Sequence, residues 1–220
     1  MARKKTSWQR ARQPEQKEER RAAILQAAAS LLDENGLEET GLNAIAREAG
    51  ISKANIYRYF ESREAILLHL LLEEVDSWAH VFQRRLRRLA GTGDVDAISK
   101  AFAETIAKRR RFCALIGALA TVLEHNVGPD TVIAFKREFL AAVKPAVSAL
   151  GTALPAFSTD QASSCLAMLI MAASGAWPHC HPAPVVEQVL AKPEFASMRL
   201  DFKRTMRDYA AALLRGLQDS

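Results

Sequence analysis

One short stretch, residues 53–60, carries side chains that bind nucleic acid when they share a surface. Its sequence, KANIYRYF, holds a lysine, an asparagine, an arginine and two tyrosines, and no acid follows until Glu61. Lysine and arginine neutralise phosphates, tyrosine hydroxyls hydrogen-bond to phosphates, and asparagine pairs with a base edge. An ordinary solvated helix face carries mixed Glu and Lys, so this composition favours a surface that contacts DNA.

Two short helices joined by a tight turn are predicted to position these side chains. The first begins near Leu42, and its small Ala46 lets a second helix cross close to it. Gly50 follows at the point where a helix end needs a residue that tolerates positive φ. Ser52 can then cap the second helix. The pattern is typical of a helix-turn-helix, and the alternative is an ordinary helical hairpin with a few surface aromatics.

In the second helix, only Ile56 and Phe60 are needed for packing, so the other side chains are free to face outward. We expect Lys53, Tyr57, Tyr59 and Arg63 to hold phosphates. Asn55 and Arg58 are expected to contact base edges. The residues predicted to contact DNA are Asn43, Lys53, Ala54, Asn55, Tyr57, Arg58, Tyr59 and Arg63.

This stretch and its flanks resemble the DNA-binding domain of the tetracycline-repressor (TetR) family of bacterial transcriptional regulators. The resemblance covers roughly residues 15–70, and its motifs fall in order at fixed spacing. The family usually has a threonine at the position of Gly41, whereas here Thr40 stands one residue earlier. The resemblance implies DNA contacts at the positions named above, and a homodimer. The matching pieces are Ile24-Leu25-Gln26-Ala27-Ala28, Leu31-Leu32, Gly36, Ile45-Ala46, Ala49-Gly50-Ile51-Ser52, Ile56-Tyr57, Tyr59-Phe60, Ser62-Arg63-Glu64 and Leu67.

Composition agrees with a globular protein that has a polyanionic partner. The 220 residues carry a formal net charge of +5, and 49% of them are hydrophobic. Cys113, Cys165 and Cys180 are odd in number and widely spaced, which argues against a disulfide framework and fits a reducing cytoplasm. The N-terminus lacks the apolar stretch of a secretory signal, and the most apolar run, residues 165–173, is too short to cross a bilayer. We therefore predict a cytoplasmic protein with no membrane partner.

Three parts are predicted along the chain. Residues 1–14 form a basic N-terminal arm, residues 15–62 a three-helix DNA-binding domain, and residues 63–220 a helical domain for effector binding and dimerisation. The arm is either a segment that lies along phosphates or in the minor groove, or a solubilising tail. The fold class is all-α, because no alternating run is flanked by turn dipeptides.

A long helix should lead out of the DNA-binding domain. It begins near Arg63, runs to about Leu89 and would span about 40 Å, which is long enough to couple the two domains mechanically. Pro145 should kink or shorten a later helix, and a Pro-rich loop is predicted over residues 177–184. The helix before that loop is predicted to run from a capping box at Ser158 to about Ala173.

Large, irregular apolar side chains between residues 95 and 177 predict a pocket for a small-molecule effector, with a few polar anchors. Close-packed core is the competing interpretation for each of them. The predicted lining is Phe102, Thr105, Phe112, Thr121, His125, Phe135, Met168, Met171 and Trp177.

The helix from Ser158 to about Ala173 and the last helix, about residues 199–217, are apolar. They are predicted to form a four-helix dimer interface with their copies in a second chain, as TetR-like proteins do. The alternative is that both helices fill a monomer core. The predicted interface residues are Leu166, Leu169, Ile170, Ala173, Met206, Tyr209 and Leu213.

Neither catalysis nor a metal or other cofactor is predicted. The adjacent ligands of His179-Cys180-His181 point apart and no second pair lies at useful spacing, so we expect no zinc site. No Gly-rich phosphate loop or nucleophile motif is present either. The sequence therefore predicts a homodimeric repressor that leaves double-stranded operator DNA when an unidentified small molecule binds. The alternative is an effector-independent assembly protein or activator whose C-terminal domain serves only for dimerisation.

Overall fold

The computed structural model describes the backbone of residues 7–218 and the side chains of residues 16–218. Within these bounds the chain is helical and contains no strand, which confirms the predicted all-α class. The side chains of the predicted basic arm, residues 1–14, lie outside the described residues, so the role of the arm stays a prediction. In the described part, no helix is both long and apolar enough to span a membrane.

Ten α-helices account for most of the described chain, with a π-helical turn at Leu119–Leu123 and a 3-10 segment at Pro193–Met198. The first three helices form the unit called the reading head below, and α4 leads from it into the C-terminal domain, α5 to α10. The helix bounds are α1 Ser7–Glu39, α2 Leu42–Glu48, α3 Lys53–Ile56, α4 Arg63–Arg87, α5 Val95–Ile106, α6 Arg110–Ala118, α7 Pro129–Ala153, α8 Thr159–Cys180, α9 Pro184–Leu190 and α10 Phe202–Gln218.

Helix α1 starts at Ser7, earlier than residue 15, where the DNA-binding domain was predicted to begin, and its regular geometry is broken at Gly36. Gly36 has φ 79° and ψ −178°, a conformation that side-chain-bearing residues rarely adopt. The hydroxyl of Thr40 donates to the Gly36 carbonyl at 2.7 Å. Thr40 therefore stabilises the end of α1, and Gly41 stands at the N-cap of α2 without a side-chain cap.

The turn between α2 and α3 follows the sequence expectation. Gly50 has φ 65°, and the Ser52 hydroxyl accepts the Asn55 N–H at 3.3 Å. Ala46 is buried, so the two helices can approach closely there. Local residues thus determine this corner of the reading head.

Helix α4 carries the main core of the C-terminal domain. Trp78 stacks on Phe82 with ring centroids 5.4 Å apart and lies 5.4 Å from the ring of Phe112. Phe102 meets both Trp78 and Phe82 edge-on, at 6.1 and 5.8 Å. The indole N–H of Trp78 donates to the hydroxyl of Thr105 at 3.3 Å, which satisfies its one polar atom. These four rings are called the aromatic cluster below.

Two prolines lie inside helices that were predicted to be shortened. Helix α7 continues past Pro145 to Ala153, and the carbonyl that Pro145 leaves unbonded belongs to the exposed residue Ala141, where water can reach it. Helix α8 continues past Pro178 to Cys180, so the predicted loop from residue 177 and the predicted helix end near Ala173 are wrong.

Candidate nucleic-acid interface and effector site

The side chains predicted to contact DNA lie on α2, on α3, in the turn after α3 and, for Arg63 alone, at the start of α4. Lys53 and Ala54 are exposed on α3, and Asn43 is exposed on α2. Tyr57 and Arg58 are exposed on the turn, with 53% of Tyr57 accessible to solvent. The structure therefore leaves this part of the predicted set accessible to solvent.

Helix α3 is shorter than the predicted helix, which was expected to reach Phe60. After Ile56 the backbone forms a turn, in which the Tyr59 N–H donates to the Ile56 carbonyl at 2.8 Å. Ile56 and Phe60 are buried, as predicted. Asn55 and Tyr59 are half-buried, and Tyr59 packs against the core, so it is less outward-facing than expected.

One residue of this surface was missed by sequence reasoning. Arg20 of α1 lines a shallow groove of about 280 Å³ together with Asn55, Arg58 and Tyr59. The guanidinium of Arg20 adds a second cation beside the candidate base-contacting residues. Its exposed position on α1 is readable from the helix pattern, but its closeness to Asn55 depends on how α1 crosses α3.

Arg63 requires a correction, because the structure turns it inward. Its Nε donates to the Thr40 carbonyl at 2.7 Å, and its Nη2 donates to the Leu37 carbonyl. The guanidinium also lies 3.6 Å from the carboxylate of Glu64. Arg63 therefore joins the start of α4 to the end of α1 and the residue that follows it, and these donors are not available to the phosphate contact that the sequence predicted.

A second polar contact joins the reading head to the C-terminal domain at the start of α7. The carboxylate of Glu61 accepts the Thr131 hydroxyl at 2.7 Å and the Gly128 N–H at 3.0 Å. The bond from Thr131, and then that from Gly128, lowers the pKa of Glu61. Glu61 thus caps a helix that lies far from it in the sequence.

A third contact joins α1 to α4. The Nη2 of Arg21 lies 2.7 Å from Nε2 of His69, and the guanidinium carbon lies 5.2 Å from the ring centroid of Phe60. Burial lowers the pKa of His69, and the charge of Arg21 lowers it further, against smaller opposing effects of Glu138 and Glu18. At neutral pH the imidazole is therefore uncharged and can accept the hydrogen bond from Arg21.

The predicted effector pocket is not one cavity. Phe102 and Phe112 belong to the aromatic cluster, and Thr105 is buried against it, with its hydroxyl bonded to the Ala101 and Phe102 carbonyls. Phe135 is buried elsewhere and lies beside Phe139. These residues act as close-packed core, the competing interpretation given by the sequence.

The other predicted pocket residues lie nearer the surface. Thr121 and His125 are exposed, and Met171 is 70% accessible. Met168 and Trp177 are half-buried. Met171 therefore cannot line an interior pocket of a single chain, because α8 directs its side chain outward.

The predicted dimer interface also requires a correction. Five of its residues are buried within the chain, where α8 packs against α6, α7 and α10. Only Tyr209, which is 43% exposed, and the half-buried Leu213 remain accessible. The buried five are Leu166, Leu169, Ile170, Ala173 and Met206.

Comparison with known sequences identifies both parts of the chain. Residues 24–70 match the family described as "Bacterial regulatory proteins, tetR family". Residues 72–220 match "Tetracyclin repressor-like, C-terminal domain".

Curated relatives match parts of the chain. It is 33% identical over 115 residues to the HTH-type transcriptional regulator HbdR of Aromatoleum sp. (strain CIB), which covers 51% of this chain and 46% of that protein. It is 30% identical over 75 residues to the fatty acid metabolism regulator protein of Bacillus subtilis, which covers 34% of this chain and 39% of the relative. The chain thus spans less than half the length of these two relatives.

Solved structures share the fold. FadR of Thermus thermophilus, described as a TetR-family repressor in complex with lauroyl-CoA, has a TM-score of 0.56 at 17% identity, covering 89% of this chain and 93% of FadR. A regulator of the TetR/AcrR family from Thermobifida fusca has a TM-score of 0.53 at 20% identity, covering 90% of this chain and 98% of the regulator. At these identities the likeness concerns the fold alone.

Proposed function

The chain belongs to the TetR family of transcriptional regulators, and we propose that it is a homodimeric repressor that leaves its operator DNA when a small molecule binds. The observation that carries this proposal is the surface of the reading head. Lys53, Tyr57 and Arg58 are exposed there, and Arg58 lines one groove with Arg20 and Asn55. The stretch from residue 53 to residue 60 contains no carboxylate that would repel phosphate.

On DNA, the exposed residues divide into two roles. Lys53, Tyr57 and Arg20 hold phosphates and set the register of the head on the duplex. Asn55 and Arg58 reach base edges in the major groove, where asparagine suits adenine and arginine suits guanine. Arg63 acts indirectly, since its bonds to the Thr40 and Leu37 carbonyls hold the reading head against α4.

Dimerisation would use surface that a single chain leaves uncovered. The accessible side of α8 carries mostly small residues and the exposed Met171, and Tyr209 and Leu213 of α10 are partly accessible. Small residues let helices of two chains approach closely, and apolar area removed from water there supplies the driving force. A two-fold dimer would place two heads on half-sites about 34 Å apart or somewhat more. The accessible residues of α8 include Ser163, Ser164, Ala167, Met171 and Gly175.

Effector control is the finer part of the proposal. FadR of Thermus thermophilus, a protein of the same fold, is described as a repressor in complex with lauroyl-CoA, which supports ligand-dependent release as the mode of control. An effector lowers operator affinity only by its preference for the state in which the heads are wrongly spaced, typically 1–3 kcal/mol. The polar contacts of Glu61 and Arg63 set the position of the head, so their rearrangement would change that spacing.

Selection from a random DNA pool tests the core of this proposal. We expect enrichment of an inverted repeat, and fluorescence anisotropy should show that the selected duplex binds the wild type far more tightly than scrambled DNA. Sedimentation at micromolar concentration should show a dimer. A monomer, or a pool with no enriched sequence, would overturn the proposal. Met171→Glu, which places a charge on the accessible side of α8, should yield monomer, whereas Leu140→Glu on the exposed face of α7 should not.

The close packing of the aromatic cluster favours one alternative, an effector-independent regulator whose C-terminal domain serves only for dimerisation. Thermal melting in the presence of a compound library separates the two. A ligand that binds the folded state raises the melting temperature, and a complete lack of stabilisation, together with unchanged DNA affinity, would favour the alternative.

A further inference from the structure

An open groove of about 690 Å³ lies where the reading head meets the C-terminal domain. The end of α1 forms one side, with Asp33 in its wall. The start of α6 and the end of α8 form the other sides, and α4 contributes Glu74. None of the predicted effector residues except Trp177 lies in this groove.

Four consecutive cations, Lys108 to Arg111, line the groove. Arg109 and Arg111 are paired with the carboxylate of Glu74, at 3.6 and 3.1 Å. Within the part of the chain that the structure describes, Lys108 and Arg110 are exposed and take part in no salt bridge. The groove therefore keeps two cations that no carboxylate pairs with, and its lining also includes the carboxylate of Glu34, which leaves a net excess of one positive charge.

Arg111 is shared between the two domains. Its Nη2 lies 2.5 Å from the carboxylate of Asp33 on α1. Its Nη1 lies 3.1 Å from the carboxylate of Glu74 on α4. These contacts raise the pKa of Arg111, with the hydrogen bond to Asp33 as the largest cause. An anion that approaches Arg111 from the groove has to compete with Asp33 for the same donors.

The end of α8 adds an aromatic wall. The rings of Trp177 and His181 are stacked with their centroids 3.7 Å apart, and Phe202 meets Trp177 edge-on at 5.0 Å. Trp177 is half-buried and His181 is exposed, so the stacked pair borders both the core and the groove. A flat apolar group can pack against such a pair while a charged group reaches the cations.

We propose that this groove binds an anion that carries a planar apolar group, with Lys108, Arg110 and Arg111 holding the anion and Trp177 and His181 contacting the ring. The site does not depend on the interior of the C-terminal domain, where the aromatic cluster is closely packed. Its role as the effector site rests on the proposed function. Binding there withdraws Arg111 from Asp33 and so loosens α1, which belongs to the reading head. Because coupling is reciprocal, operator DNA then weakens the binding of the anion.

Isothermal titration of the full chain with 1-naphthyl phosphate tests the site without DNA. We expect the double variant Lys108→Ala/Arg110→Ala to bind at least about tenfold more weakly, because two charge-assisted contacts are lost. Arg137→Ala/Lys144→Ala removes the same charges from exposed positions on α7 and is the matched control. Equal weakening in both variants would overturn the site, and so would an absence of binding to the wild type at millimolar probe.

Two further comparisons test the parts of the site. Asp33→Asn removes the competitor for Arg111 and should tighten binding of 1-naphthyl phosphate, whereas weaker or unchanged binding would contradict the shared role of Arg111. Inorganic phosphate and 1-naphthol, which are the two halves of the probe, should each bind more weakly than the whole. If inorganic phosphate bound as tightly as the probe, the proposed contact of Trp177 and His181 with the ring would be wrong. Thermal melting of each variant confirms that it is folded.

DNA release is measured separately, by anisotropy with the selected duplex. Saturating 1-naphthyl phosphate should weaken duplex binding by the wild type and by the matched control, but not by the Lys108→Ala/Arg110→Ala variant. Binding of the probe with no change in DNA affinity would overturn the effector role of the groove. A protein that binds no specific DNA would instead overturn the proposed function, while the calorimetric result would still decide the groove.

Discussion

The two ends of α4 are held in different ways. At the N-terminal end, Arg63 bonds backbone carbonyls of the reading head, and the neighbouring Glu61 caps α7. Further along, Trp78 and Phe82 are fully buried in the aromatic cluster. Burial of large rings contributes several kcal/mol of stability, the part-buried bonds of Arg63 contribute less, and the exposed contact of Glu61 contributes least. Reorienting the reading head therefore costs less than opening the cluster, which keeps the C-terminal domain folded.

The largest effect is expected in the aromatic cluster. Trp78→Ala should lower the free energy of unfolding by about 3–5 kcal/mol, because the neighbouring rings cannot move to fill the cavity that it leaves. Urea denaturation measures this loss. Leu140→Ala, at a position that is 67% exposed, is the control and should change stability by less than about 0.5 kcal/mol. Similar losses for both variants would show that the cluster is not the main source of stability.

Arg63→Ala should have the next largest effect, a loss of about 1.5–3 kcal/mol, because two backbone carbonyls lose a charged donor. Arg58→Ala, which removes the same charge from an exposed position of the head, should leave stability within about 0.5 kcal/mol of the wild type and weaken DNA binding only. If Arg63→Ala kept full stability and reduced the salt dependence of DNA binding, the phosphate contact predicted from sequence would be right and the inward role wrong.

Within the surface of the reading head, Asn55→Ala should reduce discrimination at one base pair by about 1–3 kcal/mol and leave stability nearly unchanged. Lys53→Ala should instead weaken binding to all duplexes alike and lower the salt slope by roughly one. Anisotropy titrations with single-substituted duplexes at several salt concentrations distinguish these outcomes. If Asn55→Ala weakened binding to all duplexes equally, Asn55 would be a phosphate contact and not a base contact.

Glu61→Gln should have the smallest effect. The folded-state pKa of Glu61 lies below its ordinary value of 4.5, so stabilisation by the carboxylate is complete above that value and is lost as pH falls through the folded-state pKa. At pH 7 the variant should be less stable by under about 1 kcal/mol, since the contact is exposed and screened. Denaturation at a series of pH values should show this difference shrinking in acid. Glu38→Gln removes the same charge from another exposed position and is the matched control.

The sequence by itself determined the helix-turn-helix corner and the all-α class. Gly50 and Ser52 act through their own backbone conformation and through a bond to a residue three positions away. Apolar residues at helical spacing, such as Ile24 and Ala28, mark the buried side of a helix, whatever packs against that side. These signals lie in residues that are close together in the sequence, so they can be recognised without the tertiary structure.

The tertiary structure alone decided which side of an almost wholly apolar helix is covered. Between Ser164 and His179, helix α8 carries no charged residue to mark its exposed side, so the sequence could not tell the buried Leu169 from the accessible Met171 as the surface left for a partner. The tertiary structure also decided the length of α8. Pro178 leaves the Ser174 carbonyl without its helical hydrogen bond, and α6 packs against that oxygen at Gly117. A Cβ on Gly117 would lie 3.3 Å from the same oxygen.

Contacts between distant residues were likewise beyond the sequence. Arg63 and Leu37 are 26 positions apart, and Asp33 and Arg111 are 78 apart. A charged side chain on a helix shows that a partner is needed, but not whether that partner is a phosphate, a carboxylate or a carbonyl of the same chain. Only the packing of α1 against α4 and α6 brings these groups within bonding distance, because their position in space depends on the whole core between them.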